Sequence, residues 1–185
     1  MFTSKPEYGR TPSPFNLNAL EAVATAFALD VPSIALLAIP SSASVTRAVY
    51  DLRCLGVNAY GLDLLSDVQG RKFLLQPDAP RTVDNPTLLV CTPATTRGLD
   101  LPDLTHVFIL GIPDGASGGK RNGDTYMHLA GRAGRFGRAG KVITIVEKDD
   151  DIDAETGKWE SKDSSRMLNI LKRMSITPVR FDVFE

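Results

Sequence analysis

The sequence predicts an α/β domain built on a parallel β-sheet sandwiched by helices. Two observations predict it. Short, almost wholly apolar runs recur along the chain, each about one strand long. Amphipathic stretches with helical spacing separate them. Strands that are apolar throughout are covered on both faces, and their alternation with helices implies βαβ units with right-handed crossovers. A length of 185 residues suffices for one such domain with a real core.

The elements follow in order. Residues 1–14 hold three prolines among polar residues and read as an irregular leader. Over 15–29, Phe15, Leu20, Val23 and Phe27 form a helical stripe, which Pro32 stops. The run 33–40, SIALLAIP, is a strand. Serines 41, 42 and 44 offer caps to a helix carrying Val45, Val49 and Leu52. Gly56 ends that helix, and 57–60 is the next strand. A helix is predicted over 66–75, then a loop with Pro77, Pro80 and Pro86. TLLVCT (87–92) and HVFILGIP (106–113) are strands. A glycine-rich loop over 114–124 leads to a short helix from about Thr125, and KVITIV (141–146) is the last strand. The final helix is predicted over 163–174, with Met167, Leu168, Leu171 and Met174 on its apolar side. The organisation is therefore a leader (1–14), one α/β domain (15–148), and an acidic loop with a C-terminal helix and tail (149–185).

Composition narrows the function classes. With 43% hydrophobic and 23% charged residues the chain reads as soluble and globular. A formal net charge of −1 gives no global basic field, so any contact with a polyanion is local. Cys54 and Cys91 stand in no metal or redox spacing and read as small buried hydrophobes of a reducing, intracellular compartment. No apolar run approaches the roughly 18 residues of a membrane span, so no membrane partner is expected. The first residues lack the apolar core of a secretory signal.

Three segments carry chemistry. IPSSAS (39–44) places Pro40, Ser41, Ser42 and Ser44 between a strand and a helix N-terminus, where backbone N–H groups and hydroxyls suit a phosphate and also suit plain capping. CTPATTRGLDLPDL (91–104) sets Thr92, Thr95 and Thr96, the cation Arg97, the flexible Gly98 and the carboxylate Asp100 just beyond a strand. YMHLAGRAGRFGRAGKV (126–142) sets Arg132 and Arg135 three residues apart among glycines. On one helix face two such guanidiniums repel, and a bound polyphosphate relieves the conflict. The glycines read as permitting close backbone approach to it. The surrounding residues are small, so truncating either arginine is expected to spare the fold.

In this order the segments resemble motifs IV, V and VI of superfamily 2 helicases, and most closely those of the DEAD-box RNA helicases. TTRGLDLPDLTHVFILGIP is similar to that family's "aRGiDip-V--Vi--d-P" stretch, and YMHLAGRAGR to its "YvHRiGRtGR". The likeness covers roughly residues 15–147. It implies a single RecA-like domain, the C-terminal one of a helicase. It implies that Arg132 and Arg135 are arginine fingers for the γ-phosphate of ATP, with Asp100 near the ribose. Gly98 and Thr92 would lie in the motif coupling RNA to ATP. Pro40, Ser41, Ser42, Ser44, Thr92 and Arg97 would contact the RNA backbone, and His128 the first RecA-like domain. The sequence departs from the pattern at Leu129, where the family has arginine, and at Ala133, where it has threonine. The family's Q-x-x-R element is also not matched; QGR at 69–71 has other spacing.

Other features define the expected partners. The chain has no G-x-x-x-x-G-K-[ST] phosphate loop and no acidic pair after a strand in the right context, so ATP and Mg²⁺ are expected to be held mainly by an N-terminal RecA-like domain. Asp149, Asp151, Asp153, Glu155 and Glu160 mimic the spacing of a calcium loop, but Ala154 stands where the turn needs glycine, and no metal site is expected. The expected function is the C-terminal half of an ATP-dependent RNA helicase, inactive alone. The alternatives are an inactive module docking on RNA or a ribonucleoprotein, and a superfamily 2 DNA helicase domain.

Overall fold

A computed structural model of the chain describes residues 17–30, 32, 34–62, 86–96, 104–113, 120–134, 139–146 and 162–179. Strands β1 (Ile34–Ala38), β2 (Ala59–Gly61), β3 (Thr87–Cys91), β4 (His106–Leu110) and β5 (Lys141–Ile145) form one sheet. Its order is β2-β3-β1-β4-β5. Every pairing is parallel. The described helices are α1 (Leu17–Leu29), α2 (Val45–Cys54), α3 (Lys120–Ala130) and α4 (Lys162–Arg173). The leader, the helix predicted over 66–75 and the acidic loop lie outside the described residues.

Strand β1 is the pivot. From it the chain steps outward to β2, returns to β3 beside β1, and then crosses to β4 on the other side. Right-handed crossovers that run in opposite directions place their helices on opposite faces. Accordingly α1 and α2 cover one face, while α3 and α4 cover the other. The strands serve both layers by alternation. Ala35, Leu37, Leu88, Val90, Phe108 and Leu110 enter the first core, and Leu36, Ala38, Leu89, Cys91, Val107 and Ile109 the second. This double burial is why β1 is apolar throughout and why β3 and β4 are apolar after their first residues, Thr87 and His106.

Local sequence explains the helices. In α1, Ala19, Leu20, Val23, Ala26 and Phe27 recur at helical spacing and are buried, with Phe27 edge-on to Phe108 at 6.4 Å between ring centres. Helix α2 begins at Ser44, whose hydroxyl accepts from the Arg47 amide at 3.3 Å. It ends in a Schellman motif, with Gly56 N–H bonded to Arg53 O and Val57 N–H to Leu52 O, both at 3.0 Å. That closure needs the left-handed backbone of Gly56, at φ +84°. Val57 and Leu52 then pack in the same core.

Three sequence expectations change. Helix α3 starts at Lys120, inside the stretch read as glycine-rich loop, five residues before Thr125. In α4 the inward residues are Met167, Ile170 and Leu171, with Met174 partly buried, and Leu168 is exposed. Spacing of 3, 4 and 7 from Met167 sets that stripe and leaves Leu168 one step off it. Cys91 is buried as expected, but Cys54 is exposed, because it falls off the α2 stripe of Val45, Ala48, Val49 and Leu52.

The N-terminal edge of the sheet is tied by charge. Asp30, just past α1, accepts from His106 Nε2 at 3.0 Å and from the Lys141 ammonium. Thr105 Oγ1 lies 2.8 Å from His106 Nδ1. Hydrogen bonds from Lys141 and His106 hold the Asp30 carboxyl below its ordinary value of 3.8. The cluster fastens α1 to the starts of β4 and β5. Among the described residues, no helix is long and apolar enough to cross a membrane.

Candidate functional site

The structure brings the first two segments together. Ala38 and Cys91 are register partners at the C-terminal ends of β1 and β3, and Ile39 N–H donates to Cys91 O at 2.9 Å. Residues 39–44 and 92–96 therefore leave the sheet side by side, where the strand order reverses. Open α/β sheets bind ligands in that position. Pro40 adds the end of β4 to this edge, since a methyl group at Gly111 would meet its ring at 3.7 Å.

The hydroxyls of this edge are unequal. Ser41 and Ser42 sit in an exposed turn closed by Ala43 N–H to Pro40 O at 2.9 Å. Ser44 is occupied as the α2 cap. Thr92 Oγ1 lies 3.1 Å from Thr95 Oγ1, and both residues are half-buried. Thr96 is fully buried and donates to Pro93 O at 2.8 Å, so it shapes the turn instead of facing a ligand. Arg97, Gly98 and Asp100 lie outside the described residues.

The third segment is elsewhere. Its arginines were expected on a helix face, at a strand end like the other two segments. Helix α3 instead ends at Ala130, and Arg132 stands in the turn that follows. An 11-residue helix is about 16 Å long, close to the length of a five-residue strand, so α3 returns the chain to the N-terminal edge of the sheet. The backbone agrees: Gly134 N–H points to Leu104 O at 3.4 Å and Lys141 N–H donates to Thr105 O at 2.8 Å, just before β4 begins. Arg135 lies outside the described residues.

Arg132 is also not a solvated surface side chain. It is 5% exposed, and its Nη2 lies 2.8 Å from Nε2 of the exposed His128, one helical turn earlier. The glycines around it have folding reasons of their own. Gly134 has φ +68°, and a Cβ on Gly140 would come within 2.4 Å of Gly134 N. The tight loop thus requires glycine at both positions with or without a phosphate. Leu129, at the family's arginine position, is fully buried in the second core.

Sequence reasoning missed the His128–Arg132 pair. Its signal was the spacing of four residues, legible only once the end of α3 is known. No group of three His, Cys, Asp or Glu among the described residues is placed to hold a metal ion.

Comparison with known proteins agrees with this architecture. Residues 78–137 match the helicase conserved C-terminal domain family. The ATP-dependent RNA helicase SrmB of Escherichia coli is 43% identical over 65 residues, 35% of this chain and 13% of that protein. The solved C-terminal domain of the DEAD-box protein Dbp5 superposes with TM-score 0.60 at 20% identity, over 88% of this chain and 81% of that one. Dbp5 of S. cerevisiae bound to RNA and ADP BeF3 gives 0.57 at 21% identity, over 90% of this chain and 39% of that one. The fold is that of a RecA-like helicase C-terminal domain. The matched stretch is similar to DEAD-box RNA helicases, and the match to SrmB spans about an eighth of that protein's length.

Proposed function

We propose that this chain is the C-terminal half of an ATP-dependent RNA helicase. ATP is held by an N-terminal RecA-like domain of the same protein, and closure of the two domains brings Arg132 and Arg135 to its γ-phosphate. The observation that carries this reading is Arg132 itself: a guanidinium buried at the exit of α3 and aligned by His128, in the segment similar to the family's finger motif. A cation preset in a water-poor site stabilises charge developing on a transferring phosphoryl group at little reorganisation cost.

RNA is assigned to the other edge of the sheet. There the exposed residues Ser41 and Ser42, with Thr92 on the loop that leaves the neighbouring strand, suit phosphate oxygens without reading bases. Pro40 holds that turn in place. Residues 97–103 join the two edges, running from Thr96 at one to Leu104 at the other. Arg97, Gly98 and Asp100 fall in this connector, the segment through which RNA contact would reach the nucleotide.

A second reading rests on Leu129: a core leucine where the family has arginine suits a domain that docks on RNA without hydrolysing ATP. The test uses the protein carrying both RecA-like domains. Arg132→Gln and Arg135→Ala are each expected to lower kcat for RNA-stimulated ATP hydrolysis by about 10³-fold or more. Parental turnover in both variants would refute the finger assignment. No turnover in the parent itself would favour the docking reading.

A further inference from the structure

We infer that His128 is the positioning residue for Arg132, fixing the guanidinium in one orientation before the nucleotide arrives. This rests on the finger reading above. A guanidinium carries only donors and stays protonated, so in the 2.8 Å contact Arg132 Nη2 donates and His128 Nε2 accepts. An accepting Nε2 makes the ring neutral, with its proton on Nδ1.

The backbone prepares the contact. Gly131 N–H donates to Met127 O at 2.8 Å and Arg132 N–H to Leu129 O at 3.0 Å, so the helical turn continues up to the arginine. Residues 128 and 132 therefore stack one turn apart, as i and i+4 do on a helix. The left-handed Gly134 then bends the chain away, and Gly140 packs on that bend. The Cα of Arg132 is thus fixed, and the bond to His128 gives its long, flexible side chain a defined end point for the guanidinium. The ring itself is exposed while the guanidinium is buried, so His128 holds the cation from the surface side. The resemblance gives His128 a contact with the first domain; here its Nε2 serves Arg132 within this domain.

The role predicts a loss in turnover rather than in nucleotide affinity, because only the transition state needs the aligned finger. In the two-domain protein, His128→Ala should lower kcat on the order of tenfold to a hundredfold. Its KM for ATP should change little. His128→Gln should recover most of the rate, because its amide oxygen reaches the position of Nε2 and accepts the same bond. Long-range proton–nitrogen NMR of this chain should show His128 as the Nδ1–H tautomer.

Three outcomes overturn the inference: the Nε2–H tautomer, a raised KM with unchanged kcat in His128→Ala, or equal loss in the Ala and Gln variants. Arg132→Gln in the same assays separates the two ideas. If it is inactive while His128→Ala is fully active, only the positioning role fails. If it hydrolyses ATP like the parent, the finger reading falls and the positioning role falls with it.

Discussion

At the scale of single residues, burial decides what substitutions do. Arg132 is 5% exposed and donates to His128, so removing it opens a gap at the exit of α3 as well as deleting a charge. Arg132→Ala is expected to cost about 1–3 kcal/mol of stability, measured by urea unfolding of this chain. Unchanged stability would mean that the guanidinium packs on nothing. Leu129 gives the converse case. Restoring the family's residue with Leu129→Arg would place a charge in a fully apolar core, and a loss of about 3 kcal/mol or more is expected in the same experiment. Asp30 provides a pH signature. Its carboxyl is depressed by hydrogen bonds from Lys141 and His106, so the stabilisation is complete above the unfolded value of 3.8 and is lost as pH falls through the lower folded value. Asp30→Asn should therefore melt below the parent at pH 6, with the gap closing below about pH 4. A gap that does not narrow at all between pH 6 and pH 3 would show that another group carries the effect.

At the scale of elements, the edge at β1 and β3 separates capping from the proposed binding. Ser44 is the α2 cap, while Ser41 and Ser42 sit exposed in the turn before it. Ser44→Ala is expected to cost about 1 kcal/mol of stability, read as a lower melting temperature. The double variant Ser41→Ala/Ser42→Ala should weaken RNA binding in a fluorescence titration by more than any shift in its melt accounts for. If the double variant melts early and binds normally, the serines belong to the turn alone. The turn after α3 has a similar division. Gly134 and Gly140 shape it through a positive φ and a close backbone approach, so Gly140→Ala should destabilise the domain even without nucleotide.

At the scale of the whole molecule, the two proposed ligands meet opposite ends of one sheet. Strand ends at β1 and β3 carry the proposed RNA contacts, and α3 carries Arg132 back to the starts of β4 and β5. Neither end contains a phosphate loop or a metal-binding carboxylate cluster among the described residues. This chain alone is therefore expected to show no ATP turnover in a phosphate-release assay with RNA and Mg²⁺. Turnover well above background would sink the two-domain reading. A net charge of −1 leaves only a local contact patch. RNA binding by the chain should then be weak, with a shallow salt slope from the few counterions released. A steep slope would point to a basic surface outside these segments.

The sequence by itself determined the sheet class and most of its elements. Apolar runs such as 34–38 and 107–110 report burial on both faces, and the stripe of Val45, Val49 and Leu52 reports burial on one. These are local signals, because side-chain periodicity is set by backbone geometry. The motifs with their arginines, threonines and serines were legible as well, through residue type and spacing. Tertiary structure alone decided which of them meet. The side-by-side exit of 39–44 and 92–96 depends on β1 pairing with β3, residues about fifty positions apart in the chain. The location of Arg132 depends on where α3 starts and stops, and Lys120–Ala130 begins in residues whose composition reads as loop. Its burial and its bond to His128 follow from that endpoint. A chain records what each residue prefers locally; which edge of a sheet a loop reaches is set by crossover length and direction, quantities that no short window of sequence contains.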